Sequence, residues 1–472
     1  MKSSDEIRQL TVELLMEINK WSQKKDRATQ EVSKNRVLEL IELGADVNGT
    51  ENIGVSHIVD MTNALKLAAN VGSIDIFNIL IDKGAHLNTD VLRIAVCLGH
   101  TQIVRIMLDQ GVEIDGESSI ANNRTTMALA AQSGYTDIMT ELIKNGGAVN
   151  STGKNILGPL EASVYIKDNQ ISTEVVEVLL NAGAEINEAG LHKRTPLMRA
   201  VLAGQEGVVR ILSAALKERG YSIEARDEYQ DTALMLAVRS KNVGMARDII
   251  AAGASADAKD INGNSAISLA AFDENIEILE LLTVGAADVE SANNFGQTPF
   301  MLAVVNKKDS VVSWFLNDAP IAININATSQ GGWTPLMAAI NHGYCDIVVE
   351  IMSDKHKNFL DVNAATKDNH TALSLAKQKV ENGFSSEFRT IFEALKERSN
   401  IEMTIDESSG ISDLTEEDTL ENDENIGYYG IKKTIMPEIK GVVIEGNKKG
   451  PFITSVANFV DSLNKGNSGK TR

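Results

Sequence analysis

The feature that most constrains this chain is self-similarity at a nearly fixed interval. The segments TPLMRAVLAG (195–204), DTALMLAVRS (231–240), TPFMLAVVN (298–306), TPLMAAINHG (334–343) and TALSLAKQ (371–378) share one pattern. Weaker copies read NALKLAANVG from Asn63, VLRIAVCLGH from Val91, TTMALAAQSG from Thr125, GPLEASV from Gly158 and SAISLAAF from Ser265. Their common apolar position falls at Leu65, Leu92, Met127, Leu160, Leu197, Leu234, Ile267, Phe300, Leu336 and Leu373, so successive copies lie 27, 35, 33, 37, 37, 33, 33, 36 and 37 residues apart. A chain with such a period folds as a stack of like units. Each unit buries the apolar face that its neighbour leaves open, which no single unit can do alone.

A second motif recurs between the first: IELGADVN (41–48), LIDKGAHLN (80–88), LIKNGGAVN (142–150), LLNAGAEIN (179–187) and IIAAGASAD (249–257). It reads as the end of a second helix, where glycine adopts the left-handed conformation that stops a helix. The Thr opening most of the first motifs is placed to cap a first helix, and the Pro after it suits the first turn, where no amide donor is required. A hydrophobic fraction of 43% with only 4% aromatics favours closely packed helices with small contact residues over a sheet-based core.

The first motif resembles the ankyrin T-P-L-H-x-A signature, and its spacing resembles the ankyrin length of about 33 residues. The resemblance covers about eleven repeats over residues 1–400, several of them degenerate. It implies an all-α-dominated solenoid of stacked helix-turn-helix units with short β-hairpin fingers. Residues 1–48, with helices expected over 5–21 and 33–43, read as an N-terminal capping unit with charged residues at its solvent-facing end. The 27-residue step to Leu92 is too short for a finger, because Asn88, Thr89 and Asp90 run straight into the next helix. Steps of 37 are expected to add one helical turn within 164–180, within 212–220 and near 353–363. None of the ten copies has the signature histidine. Lys66, Arg93, Ala128, Glu161, Met198, Met235, Ser268, Met301, Met337 and Ser374 stand there instead, so packing of the Leu and Ala columns is expected to carry the architecture.

Past the repeats the pattern stops. Ile401–Asn425 holds ten acidic residues and no basic one, the composition of a self-repelling, disordered linker. Residues 426–472 reverse the balance, with eight Lys or Arg against three acids, and Ile453, Val456, Phe459, Val460 and Leu463 mark a short amphipathic helix after Pro451. Such a helix folds back on the final repeat, docks a second component or serves as a delivery signal.

The formal charge of −20 opposes nucleic-acid binding and docking on anionic lipid, and steers toward a protein partner with a basic patch. No stretch approaches the roughly 18 apolar residues of a membrane span, and the first ten residues lack a secretory apolar core. Two cysteines, Cys97 and Cys345, far apart in helical patterns, fit a reducing intracellular, cytoplasmic setting. No metal site or cofactor is expected. Cys97 with His100 and Cys345 with His342 are spaced as helical neighbours, without an orienting third group for catalysis. The C-terminal NKGNSGKTR (464–472) departs from a phosphate-binding loop at Asn464, where that loop needs glycine. The Met198, Met235, Met301 and Met337 column reads as flexible core packing.

What remains is a recognition surface. The resemblance to ankyrin arrays places Arg124, Arg194, Tyr229, Asp231, Phe295, Gln297, Trp333, Lys367 and His370 on the fingers, with Tyr229, Phe295 and Trp333 as the leading anchors, since aromatics and Arg dominate binding hot spots. The expected function is that of a non-enzymatic adaptor or scaffold, monomeric, gripping a protein on its concave finger and inner-helix face. Two other readings stand beside it by analogy and by elimination. One is a translocated bacterial effector that captures a host protein; the other is an enzyme with a cryptic catalytic segment at the C-terminus.

Overall fold

A computed structural model describes residues 2–21, 27–51, 63–116, 124–150, 157–356 and 358–399. The expected acidic linker, the basic tail and its amphipathic helix lie outside the described residues. The described chain falls into two compact units, divided between Gly190 and Leu191. Both are built from helix pairs, and isolated β-bridges join Arg124 with Leu157 and Ala365 with Thr371.

The first unit begins with the helix Ser4–Lys20, opened by a capping box in which Ser3 and Glu6 bond each other's backbone amides, and continues with Arg27–Glu42, which starts six residues earlier than the sequence pattern suggests. The pairs Ala64–Val71 with Ile74–Asp82, Thr89–Cys97 with Thr101–Asp109, Thr126–Ser133 with Thr136–Lys144, and Pro159–Ser163 with Asn169–Asn181 follow. Asn88 caps Thr89–Cys97 directly after the preceding turn, so no finger separates these pairs, as the 27-residue step requires.

The second unit pairs Pro196–Leu202 with Glu206–Glu218, Ala233–Arg239 with Val243–Ala251, Ala266–Phe272 with Ile276–Val284, Pro299–Val305 with Asp309–Asp318, Pro335–His342 with Cys345–Ile351, and Ala372–Glu381 with Ser386–Ser399. Within each unit first helices pack on neighbouring first helices and second helices on second, making two layers with the core between them. The side chains of Thr125, Thr195, Thr232, Thr298, Thr334 and Thr371 each accept a bond from the amide three residues on, and Pro159, Pro196, Pro299 and Pro335 occupy the first turn. Met198, Met235, Met301 and Met337 are buried to within 1% of full exclusion from solvent, as core packing requires.

Two of the three added helical turns are present. Asn169–Asn181 and Glu206–Glu218 have 13 residues where Val243–Ala251 and Ile276–Val284 have 9. The third is not helical: Cys345–Ile351 has only 7 residues and the extra residues form successive turns, closed by bonds from Ser353 to Glu350, His356 to Ser353 and Phe359 to His356. A different irregularity was not expected. Asp309–Ser313 passes into a π-turn, Trp314–Asp318, which brings both Trp314 and Phe315 inside, edge-to-face with one another at 5.0 Å. A regular helix would leave Trp314 at the half-exposed position held by Leu281 one repeat earlier, and the wider turn relieves that conflict.

Candidate functional site: the fingers of the second unit

Each finger of the second unit is a tight turn closed by one polar side chain. Seven residues before the signature apolar position stand Asp227, Asp260, Asn293, Ser329 and Thr366. Their side-chain oxygens accept from the amide four residues on: Asp231 at 3.0 Å, Asn264 at 2.8 Å, Gln297 at 3.0 Å, Trp333 at 3.3 Å and His370 at 3.0 Å. The backbone amides of the same five residues bond back across the turn, for example Asp260 to the Asn264 carbonyl at 2.9 Å. The fourth residue of each finger is left-handed, and in three of the five it is glycine. At Gly263 (φ +77°) an added Cβ would lie 2.7 Å from the Asn294 amide nitrogen, so the next finger leaves no room for a side chain.

The fingers are also tied to each other. The amides of Glu228, Ile261, Asn294, Gln330 and Lys367 donate to the carbonyls of His192, Tyr229, Asn262, Phe295 and Gly331 at 2.9–3.2 Å, giving one main-chain ladder across the unit. A second set of bonds joins the outer turns, from Ser255 to Glu224, Asp288 to Asp257, Asn324 to Glu290 and Asp361 to Asn326 at 2.7–2.8 Å. Hydrogen bonding between repeats is therefore supplied by main chain and short polar side chains, without the signature histidine.

Under the tips runs a chain of buried polar groups. Arg194 Nε lies 3.3 Å from Asp227 Oδ2, Arg239 bridges Asp231 and Asp260 at 3.4 and 3.0 Å, and Asn264 links Asp260 to Asn293, which in turn bonds Gln297 at 3.1 Å. Burial pushes the Asp231 carboxyl up to about 6, outweighing Arg239, which Asp231 shares with Asp260; Asp227 and Asp260 add to the rise.

The expected contact residues therefore divide. Tyr229, at 41% exposure, Lys367 and His370 stand at the surface, and Phe295 and Trp333 are half-buried, the Trp333 ring lying against Gly331. Asp231 and Gln297 do not project. They are almost wholly buried and engaged within the fingers, because the position after the left-handed residue turns inward. Arg194 is spent largely on Asp227. Arg124, in the first unit, is half-buried, bonded to Gln132 and receiving Arg93 Nη2 on its carbonyl at 3.1 Å; burial lowers its pKa. Ile261, 61% exposed and adjacent to Tyr229 in the ladder, was missed. Its signal was the second place of a finger, immediately after Asp260.

The thiols are ill-suited to nucleophilic work. Burial raises Cys97 to about 11, and Cys345 is raised as well, mainly by burial, with Ser385 as its neighbour at 3.8 Å; His342 instead stacks on Tyr344. Among the described residues no cluster of three or more His, Cys, Asp or Glu is arranged to hold a metal, and no helix is long and apolar enough to cross a membrane.

Paired helices in two layers, with ladder-linked fingers closed by an Asp, Asn, Ser or Thr, define a class of repeat protein whose business is binding other proteins. The family model described as "Ankyrin repeats (3 copies)" matches at residues 65–153, 92–189, 160–260, 234–329 and 267–366. The chain belongs to the ankyrin-repeat family. Among solved structures it is similar to the ankyrin repeat domain of Bcl-3, described as a unique member of the IkappaB protein family, with 24% identity over 50% of this chain and 97% of that one, at a TM-score of 0.42. It is likewise similar to the ankyrin repeat domain of human ASB11, with 25% identity over 47% of this chain and 97% of that one, at a TM-score of 0.40.

Proposed function

We propose that the chain is a non-catalytic adaptor that holds a protein partner on the fingers and first helices of its second unit. The observation that carries this reading is the pair Tyr229 and Ile261, large apolar side chains at 41% and 61% exposure on adjacent fingers whose backbones are closed and cross-bonded. The fold holds both apolar groups in water on a fixed frame. That is the arrangement a binding hot spot requires, since little conformational freedom is lost when a partner covers it. Phe295 and Trp333, half-buried on the next two fingers, extend the same row.

Replacing Tyr229, Phe295 and Trp333 together with Ala, or Tyr229 and Ile261 together, is expected to reduce capture of the partner from cell extract by ~30-fold or more, taking about 2 kcal/mol for a hot-spot truncation. Helical circular dichroism should stay unchanged. Undiminished capture by both variants removes this face from consideration.

A further inference from the structure

The charge of the second unit is divided by element. The finger and first-helix segments (191–204, 226–241, 259–274, 292–307, 328–343 and 365–383) carry 11 basic and 8 acidic residues. The second-helix and outer-turn segments between and after them, through 399, carry 10 basic and 18 acidic residues. Three of the eight finger-side acids, Asp227, Asp231 and Asp260, are buried and paired with Arg194 and Arg239, which tilts the exposed balance further toward the cations. In a chain of net charge −20, the finger side of this unit is thus a basic and apolar surface. Its complement is an acidic segment with apolar side chains, the reverse of what net charge alone suggests.

The chain itself supplies such a segment at the right place. The last described helix is Ser386–Ser399, and the chain that follows the final repeat is the stretch Ile401–Asn425 with its ten acids, no base, and Ile401, Met403, Ile405, Ile411, Leu414 and Leu420. The ladder is open there. Tyr229, Asn262, Phe295 and Gly331 each give a carbonyl to the following finger, but the equivalent carbonyl of the last finger, that of Asp368, has no donor among the described residues. Twenty-five residues reach up to ~80 Å when extended, against ~10 Å per stacked helix pair, so the stretch is long enough to run from Lys367 back past Lys259.

We propose that Ile401–Asn425 lies along the finger side of the second unit, with its carboxylates on Lys367 and Lys259 and its apolar residues against the Trp333, Phe295 and Ile261 row. This rests on reading the fingers as the recognition face, and makes the stretch an internal competitor for it. Tethering gives the segment a high effective concentration without requiring strong contacts.

Zero-length carbodiimide cross-linking of the full chain, read by peptide mass spectrometry, tests this. Amide links from Lys367 or Lys259 to acids between Glu402 and Glu424 are expected, with yields falling ~10-fold at 1 M salt as the pairs are screened. The same links should weaken in the variant Glu416→Gln, Glu417→Gln, Asp418→Asn. The 3.4 Å pair of Lys144 with Glu141 is the internal control for the coupling chemistry. If that control couples while the acidic stretch couples to neither lysine, or only to outer-turn lysines such as Lys355, the proposal is overturned. It is equally overturned if mixed isotope-labelled chains show the links only between molecules, which would make a second copy the occupant. Loss of these links with partner capture still sensitive to the finger substitutions would sink the competitor and leave the recognition face standing. Links present with capture insensitive to those substitutions would do the opposite.

Discussion

Asp231 shows how much a single inward-turning carboxyl can set. Its folded pKa of about 6 lies above the ordinary aspartate value of about 3.9, so the folded unit binds this proton more tightly than the unfolded chain does. The contribution to stability is then fully present below the unfolded value and is lost as pH rises through about 6. Urea unfolding of the wild type compared with Asp231→Asn should show an extra gain of ~2 kcal/mol in the wild type between pH 7 and pH 4, absent from the variant. A difference that is flat with pH would mean that Arg239 keeps the carboxylate charged. The same residue marks the limit of reading the sequence. A polar side chain just before the helix-capping Thr looks solvent-facing in a string of letters, and Asp231 and Gln297 were both expected at the surface. They turn inward because the finger is closed by the residue four places earlier, Asp227 or Asn293. That closing position recurs through Asp, Asn, Ser and Thr, so it is visible as a column only once hydrogen-bonding capacity rather than residue identity is compared.

At the scale of the element, the signals that were legible are the ones fixed locally. Thr at the cap, Pro in the first turn and Gly after the second helix each satisfy or spare a backbone group within a few residues, and the boundaries follow them. Thr298→Ala should therefore cost about 1 kcal/mol, since Thr298 Oγ1 caps the Met301 amide at 3.3 Å, measured as a lowered urea midpoint at unchanged slope. Gly263→Ala should cost ~1–2 kcal/mol for the left-handed backbone alone, and should speed hydrogen exchange at Asn294, whose amide the new methyl would displace from the Asn262 carbonyl. Normal protection at Asn294 in that variant would show that the fingers are not in contact as described. The features missed depend on partners far away in sequence or on side-chain bulk. The π-turn at Trp314 follows from fitting two adjacent large rings into one layer, and the segment after Ile351 gained turns rather than helix, although its added length matched that of the two segments that did lengthen.

For each unit as a whole, stability is a sum over neighbours, and position in the stack decides what a cavity costs. Leu269 and Leu395 are both fully buried, but Leu269 lies in a first helix packed between two others, while Leu395 belongs to the last pair. Leu269→Ala, at ~2–5 kcal/mol, should lower protection of the second unit broadly, whereas Leu395→Ala should loosen Ala372–Glu381 and Ser386–Ser399 first, as read by native-state hydrogen exchange. Equal spread from both sites would argue against nearest-neighbour coupling. The period that revealed the architecture also reflects this arithmetic, because the same contacts are made again at each step. Among the second and third residues of the fingers, Glu228, Asn294 and Gln330 bond a neighbouring finger through their side chains as well, whereas Tyr229, Ile261, Phe295 and Lys367 enter the ladder through their main chain, which leaves their side chains open to exchange. Specificity can accordingly drift through exchanges at those few places while the frame is inherited intact, which gives this kind of protein an unusually short mutational path from one binding habit to another.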